Sequence, residues 1–205
     1  MISSGLQEGE EPENDFALVW FSYSVHGNES SSTEAAMETL YSFANTSNKN
    51  TMEWLKRTVL IIDPCMNPDG RDRYVQFYTM TSTSPPSSDV STREHEEPWP
   101  GGRTNHYHFD LNRDWTWLTQ KETSQRMKLY NSWMPHIHVD YHEQNFDEPY
   151  YFAPAARPYH NQITSWQREL QKIIGKNHAR YFDKNNWLYF TKEHFDLLYP
   201  GYGDT

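Results

Sequence analysis

Cysteine is almost absent from this sequence: Cys65 is the single one, so the chain cannot form an internal disulfide. That scarcity is compatible with cytoplasm and with periplasm and does not decide between them. Cys65 lies between Pro64 and Met66 after an apolar run, which favours a buried packing role over a reactive one.

Basic residues are also scarce, with 18 lysines and arginines against 28 aspartates and glutamates and a formal net charge of −10. This balance argues against nucleic acid as the main partner, because binding phosphates needs a basic surface.

No run approaches the ~20 apolar residues of a membrane span. Residues 1–14 are acidic and polar, unlike a signal peptide, and we expect a flexible leader there. A secreted or periplasmic location would need a signal outside this chain, and the oligomeric state stays open.

Aromatic residues, in contrast, make up 16% of the sequence. This share indicates a substantial core with aromatic-lined clefts and excludes a low-complexity or disordered chain. A length of 205 residues suits one domain and is short for two. We therefore expect a single domain over 15–205 after the leader.

Predicted strands and helices alternate along the chain. Buried strands are predicted at 16–23, 58–62 and 136–142, and amphipathic helices at 34–43, 120–133 and 164–181. The first strand, helix and second strand form a βαβ unit, which implies parallel pairing. The predicted fold class is α/β, with three α/β/α layers around a mixed, mostly parallel sheet. Residues 74–102 are rich in Ser, Thr, Pro and charge without a sustained period, which predicts a long loop.

The turn His26-Gly27-Asn28-Glu29 directly follows the first predicted strand. Ligands in open α/β sheets gather at the carboxyl ends of strands, so the imidazole and the carboxylate are well placed to share one metal ion. An isolated H-x-x-E is a weak signal. Its alternative interpretation is a solvated turn in which Glu29 interacts with the dipole of the following helix.

A second histidine-bearing segment ends the third predicted strand. Strand periodicity places His136, His138, Asp140 and His142 on one face, and His142 would emerge at the carboxyl end. His136 and His138 lie deeper and are interpreted as hydrogen-bonded packing residues, with an H-x-H metal pair as the alternative. Two histidines and one carboxylate with an open position would form a hydrolytic zinc centre.

Four elements in order carry a family resemblance: H-x-x-E after a buried strand, Asn67-Pro-Asp-Gly70, Asp110-Leu-Asn-Arg113, and a histidine that ends a strand. Together they resemble the zinc carboxypeptidase family, whose funnelin-type fold is α/β. The resemblance spans residues 16–142. It implies one zinc ion, with His26, Glu29 and His142 as its ligands.

The resemblance also implies roles for residues around the metal. Asn112 and Arg113 look like the pair that binds the terminal carboxylate of a peptide, a task that suits the planar guanidinium fork. The alternative for Arg113 is a surface ion pair with Asp110 or Asp114. Asp110 resembles the carboxylate that accepts the ring N–H of a zinc-bound histidine, here His26.

An arginine that stabilises the oxyanion belongs to the same pattern. The resemblance implies Arg103, since it lies ten positions before Arg113, a spacing similar to that of intracellular relatives in the family. Arg93 and the more distant Arg71 are its competitors.

The general base is where the sequence departs from the family pattern. Residues 199–205 look like the start of the loop that precedes the catalytic glutamate, which would then fall beyond Thr205. Glu143 would face away from His142, while Glu148 and Glu193 have no supporting motif. Tyr199, ahead of Tyr202, is the candidate for the family's mobile tyrosine. We therefore expect a truncated member of the family, incomplete at both ends of its sheet and weakly active.

These features together predict a zinc-dependent metallocarboxypeptidase whose substrate is the C-terminus of a peptide or protein. One alternative is a zinc deacylase or amidase acting on N-acyl amino acids, because the D-L-N-R motif also occurs in that group. A non-catalytic zinc- or peptide-binding module is the other alternative.

Overall fold

The computed structural model describes residues 16–198, which form two compact units meeting in sequence between Glu143 and Gln144. The sequence predicts one domain from residue 15 onward. The single domain stays a prediction, and within the second unit the short strands pair with one another. The leader, Tyr199 and Tyr202 lie outside the described residues.

The first unit contains a three-stranded sheet in the order β2-β1-β3, and both pairings are parallel. Its strands are β1 (Ala17–Tyr23), β2 (Thr58–Asp63) and β3 (Ile137–Tyr141). The mixed α/β fold with parallel strands agrees with the predicted class. Because the strands are parallel, the turn after β1 and the end of β3 come to the same edge of the sheet.

The central strand β1 supplies much of the core. Trp20 is 2% exposed and Tyr23 1% exposed, and the Tyr23 ring stacks on Tyr141 of β3 with 4.4 Å between centroids. On the other side, Val59 and Leu60 of β2 are also buried. Burial of apolar surface stabilises a fold by roughly 25 cal/mol per Å², and here it fixes β1 and β3 side by side.

Four helices belong to this unit: α1 (Ser30–Ala44), α2 (Lys49–Trp54), α3 (Pro68–Thr81) and α4 (Lys121–Trp133). The sequence predicts α1 and α4 but neither α2 nor α3. In both missed helices an asparagine caps the first turn: the Asn48 side chain accepts from Thr51 N, and the Asn67 side chain from Gly70 N. Pro68 then starts α3 at a position where a missing N–H costs nothing.

The loop predicted for 74–102 is therefore too long at its start, since α3 continues to Thr81. Beyond the helix, the segment is held by two glutamates. Glu94 accepts hydrogen bonds from the backbone N–H groups of Thr83 and Ser87, and Glu97 accepts from Asn28 Nδ2 at 2.9 Å. The loop is thus fastened both to itself and to the turn that carries His26.

The second unit has two small parallel strand pairs and one long helix. Its elements are β4 (Tyr150–Tyr151), β5 (Ala156–Tyr159), α5 (Ser165–Asn185), β6 (Tyr189–Phe190) and β7 (Asp196–Leu197), with β4 paired to β6 and β5 to β7. A capping box of Thr164 and Gln167 starts α5, the helix predicted at 164–181. None of the helices within 16–198 has the length and apolar character needed to cross a bilayer.

Candidate active site

The turn after β1 is compressed against neighbouring backbone. A Cβ on Gly27 would lie 2.1 Å from Arg71 N and 2.2 Å from the Gly70 carbonyl carbon, so only glycine fits. The turn closes with a hydrogen bond from Glu29 N to the His26 carbonyl oxygen at 3.3 Å. As a result, His26 is 3% exposed and its ring is held on the same side as the Glu29 carboxylate.

The three predicted metal ligands converge. His26 Nδ1 lies 2.6 Å from Glu29 Oε1, and His142 Nδ1 lies 3.2 Å from Glu29 Oε2. One ligand atom from each of the three residues falls within 4.8 Å of the other two, which makes the trio able to hold a metal ion. Glu29 is the N-cap residue of α1, but its side chain makes no capping bond. The carboxylate contacts His26 and His142 instead.

Charge is strongly coupled within this cluster. Burial disfavours the Glu29 carboxylate, but its hydrogen bonds with His142 and His26 outweigh that cost and lower the pKa of Glu29 to about 2. Burial also disfavours the imidazolium of His142, yet hydrogen bonds to Asp140 and Glu29 raise its pKa to about 10. A metal ion bound here would displace the protons that the side chains now share.

An aspartate lies behind each histidine. Asp110 Oδ1 is 3.3 Å from His26 Nε2, as the resemblance predicts, and Asp140 Oδ2 is 2.9 Å from His142 Nε2. Burial opposes the charge of Asp110, but His26 and Arg103 outweigh it and hold the pKa of Asp110 well below its usual range. Each imidazole therefore presents Nδ1 to Glu29 and Nε2 to an aspartate.

Of the three candidate arginines, Arg103 is the one beside the ligand cluster. Its Nε donates to Asp110 Oδ2 at 2.9 Å, and its Nη1 lies 3.4 Å from His26 Nδ1. Arg71 instead bonds to the Ser30 carbonyl oxygen and the Glu34 carboxylate. Arg93 is an exposed residue in the 3-10 helix Arg93–His95.

The D-L-N-R motif forms the 3-10 helix Leu111–Arg113, capped by the Asp110 side chain, which accepts from Asn112 N at 2.9 Å. Asn112 is 3% exposed; its Oδ1 accepts from Trp115 Nε1 at 3.1 Å, and its Nδ2 lies 3.4 Å from His142 Nε2. Arg113 Nη1 donates to the Asn112 carbonyl oxygen. The motif thus joins the histidine cluster through Asp110 and Asn112.

His136 and His138 both have hydrogen-bond partners, but His136 is exposed, so the packing interpretation is wrong for His136. Leu18 N donates to His136 Nδ1 at 2.9 Å, and His138 Nε2 lies 2.7 Å from Ser22 Oγ. Among residues 16–198, the H-x-H pair forms no metal-binding group. Cys65 is half-buried, and the neighbouring Met66 enters the core.

Alternative general bases are engaged elsewhere. Glu143 Oε2 accepts from Ser31 N at 3.2 Å, at the start of α1, while its backbone N–H donates to Glu29 Oε2 at 3.0 Å. In the second unit, Glu148 accepts from Asn145 N and Glu193 from Thr191 N.

Two residues that shape the site have no role predicted from the sequence. Strand alternation puts Asp140 on the same face of β3 as His138 but indicates no function for it. Arg73 on α3 donates to the carbonyl oxygens of Gly101, Thr104 and Asn105 and so fixes the backbone around Arg103. The alternation of β3 was a usable signal for Asp140, whereas nothing local marks Arg73.

Comparison with known proteins agrees with this geometry: the profile of the zinc carboxypeptidase family matches residues 2–185. The chain belongs to the zinc carboxypeptidase family. It is 26% identical over 142 residues to a probable carboxypeptidase 2 of Arthroderma benhamiae, covering 69% of this chain and 22% of that protein.

Solved structures resemble it in fold. A putative carboxypeptidase from Burkholderia mallei matches with a TM-score of 0.61 and 18% identity, over 90% of this chain and 41% of its own. A Pseudomonas aeruginosa metallo-carboxypeptidase, solved with (2-guanidinoethylmercapto)succinic acid, matches with a TM-score of 0.54 and 16% identity, over 95% and 44%. The chain thus spans less than half the length of these relatives.

The donor set fits the zinc that this family implies. Two imidazole nitrogens and one carboxylate are a common zinc-binding combination, and they leave one position for water or substrate. The aspartates at both Nε2 atoms add the outer hydrogen bonds that orient ligating histidines.

Proposed function

We propose that this protein is a zinc-dependent carboxypeptidase in which His26, Glu29 and His142 hold the metal. The observation that carries the proposal is the approach of their three ligand atoms to within 4.8 Å of one another, beside the motif that carries Arg113. Bound zinc would supply Lewis acidity and lower the pKa of a coordinated water to about 7.

The proposed substrate is a peptide with a free C-terminal carboxylate. Arg113 would bind that carboxylate through two parallel N–H bonds, and the Asn112 amide would add a further donor. Arg103 would stabilise the negative charge that develops on the carbonyl oxygen of the last peptide bond. Its 46% side-chain exposure leaves room for a substrate to reach it.

Asp110 contacts both the proposed metal ligand His26 and the proposed substrate-contacting residues Arg103 and Asn112. It accepts from His26 Nε2, from the Arg103 guanidinium and from Asn112 N. In the proposed mechanism it keeps His26 oriented for the metal and Arg103 oriented for the carbonyl. The proposal assigns the proton-transferring glutamate to none of the described residues.

Metal content tests the ligand assignment. We expect about one zinc per chain in the purified protein and a large loss in His26→Ala, measured by elemental analysis after dialysis. His160→Ala, at a half-buried histidine of the second unit that lies outside the ligand trio, would serve as a matched control and should keep its zinc. A wild-type protein free of zinc, or a mutant indistinguishable from it, would show that the ligand assignment is wrong.

The substrate class is tested on the same preparation. Hydrolysis of a blocked dipeptide with a free carboxylate is compared with the same dipeptide amidated at its C-terminus and with an N-acyl amino acid. Cleavage of the free dipeptide alone supports the carboxypeptidase. Preferred cleavage of the N-acyl amino acid would support the deacylase. Because only weak hydrolysis is expected, the binding module is supported if the zinc-loaded protein binds the peptide and releases no product even after prolonged incubation at high protein concentration.

A further inference from the structure

A partly buried series of hydrogen bonds runs from β1 to His142, which directly follows β3. Ser22 Oγ donates to Asp140 Oδ1 at 2.9 Å and lies 2.7 Å from His138 Nε2. The other carboxylate oxygen, Asp140 Oδ2, lies 2.9 Å from His142 Nε2. The parallel register places Ser22 directly opposite Asp140, so the pairing of β1 with β3 builds this contact.

The number of available protons determines which group donates and which accepts in each of these hydrogen bonds. A carboxylate only accepts, so the single Ser22 hydroxyl proton goes to Asp140, and the Ser22 oxygen must accept from His138 Nε2–H. Burial lowers the pKa of His138, which agrees with a neutral ring carrying that one proton. On the other side, Asp140 Oδ2 accepts the proton on His142 Nε2.

We propose that Asp140 is a positioning residue for the metal site: it holds the Nε2 proton of His142 and thereby commits Nδ1 of His142 to the metal. The inference rests on the proposed function, since it concerns the metal that His142 would ligate. The same relation links Asp110 to His26, so the two histidines are oriented by two different aspartates. Asp140 is the one that no sequence motif marks.

The surroundings of Asp140 suit this role. Its side chain is 9% exposed and Ser22 is fully buried, so water competes little for either oxygen. The rings of Trp115 and Tyr130 pack against His138 at 5.7 and 5.3 Å between centroids and so hold in place the imidazole that bonds to Ser22. Because Ser22 donates to one oxygen of Asp140, the carboxylate cannot rotate easily, and its other oxygen stays within hydrogen-bond distance of His142.

The neighbouring Asn112 does not compete for the same nitrogen. Its Nδ2 lies 3.4 Å from His142 Nε2, longer than the 2.9 Å contact to Asp140, and both nitrogens are donors. Trp115 Nε1 also fixes the Asn112 amide by donating to its oxygen. His142 therefore donates its Nε2 proton to Asp140 and not to Asn112.

Zinc affinity tests the proposal without an activity assay. Zinc dissociation constants are measured by competition with a chromophoric chelator for the wild type, Asp140→Ala, Asp140→Asn and Ser22→Ala. Loss of such a partner typically weakens metal binding by about 10–100-fold, and we expect this range for Asp140→Ala, with smaller losses for Asp140→Asn and Ser22→Ala. Asp72→Ala removes the same charge from an exposed position on α3 and should leave the affinity unchanged.

Imidazole nitrogen NMR on the zinc-loaded, ¹⁵N-histidine protein provides the readout that a merely structural role would not change. The wild type should show His142 with its proton on Nε2 and Nδ1 shifted by the metal. Asp140→Ala should show a mixture of Nδ1- and Nε2-bound forms. Ser22→Ala, which keeps the carboxylate, should retain the wild-type pattern.

The outcomes separate this inference from the proposed function. If the wild type binds no stoichiometric zinc, the proposed function fails. If the wild type binds zinc but Asp140→Ala matches it in both affinity and nitrogen shifts, the proposed function stands and the positioning role is overturned. Lower stability of metal-free Asp140→Ala with unchanged zinc affinity also overturns it.

Discussion

At the scale of single residues, the site depends on Glu29 serving two histidines at once. Each of its carboxylate oxygens faces the Nδ1 of one imidazole, so a single side chain sets the separation between His26 and His142. This requires Glu29 to sit one tight turn from His26. Gly27 makes that turn possible, because the backbone of Gly70 and Arg71 occupies the space of any side chain there.

Gly27→Ala should therefore destabilise the fold by about 3 kcal/mol and weaken zinc binding, because backbone at 2.1 Å cannot yield without moving the turn. Urea denaturation and zinc titration of the variant measure the two effects. Gly101→Ala is the comparison, with a smaller loss expected, since its Cβ would meet only the end of the Glu97 side chain, whose shift would loosen the bond to Asn28 but leave the backbone of the turn in place. Equal behaviour of the two variants would contradict the argument.

At the scale of elements, the D-L-N-R segment is fixed to the helix that follows it by one carboxylate. Asp114 accepts from Thr119 N and Oγ1 and from Gln120 N and Thr123 Oγ1, at 2.6–2.9 Å. Gln120 makes no side-chain cap, and Asp114 instead accepts from the N–H of this N-cap residue and from the hydroxyl of Thr123 in the first turn of α4. It also ends the 3-10 helix that carries Asn112 and Arg113.

Stability should depend on pH through this carboxylate. Burial opposes its charge, but hydrogen bonds from Thr123, Gln120 and Thr119 outweigh that cost, and the pKa of Asp114 is lowered. A lowered folded-state pKa means the contribution is complete above the unfolded value of about 3.9 and is lost as pH falls below it. Asp114→Asn should reduce the free energy of unfolding by about 2 kcal/mol at pH 7.

Urea denaturation between pH 7 and pH 3 measures this effect. The difference between wild type and Asp114→Asn should shrink as the carboxylate becomes protonated, while the exposed Asp72→Asn should differ little from wild type throughout. A gap that stays constant down to pH 3 would show that the charge of Asp114 is not responsible.

At the scale of the whole molecule, the proposed zinc would connect segments far apart in sequence. Two ligands follow β1 and the third follows β3, so binding requires the first unit to be folded. A ligand that binds only the folded state stabilises it, by about 2.7 kcal/mol when free zinc is 100 times its dissociation constant.

Removing zinc with a chelator should therefore lower the melting temperature by roughly 5–10 °C. Differential scanning calorimetry with and without added zinc measures the shift. His142→Ala provides the control, because its melting temperature should not respond to zinc. A wild-type protein with the same melting temperature under both conditions would contradict a metal that binds the folded state.

The secondary structure shows where local signals were sufficient. Long apolar or amphipathic runs predicted β1, β2, β3, α1, α4 and α5, since their periodicity reflects which face is buried. They missed α2 and α3, whose first turns are capped by the side chains of Asn48 and Asn67. The division into two compact units at Glu143 has no local signal, because strand pairing depends on distant partners and not on local pattern.

The sequence by itself determined the α/β class, the family resemblance and the identities of the residues now found beside one another at the edge of the sheet. These features follow from the spacing of apolar residues and from the chemistry of the side chains at each motif. Only the tertiary structure decided that Arg103 and not Arg71 lies beside His26, and that Asp140 serves His142. The physical reason is that such contacts depend on strand register and backbone packing between distant segments, which no local pattern contains.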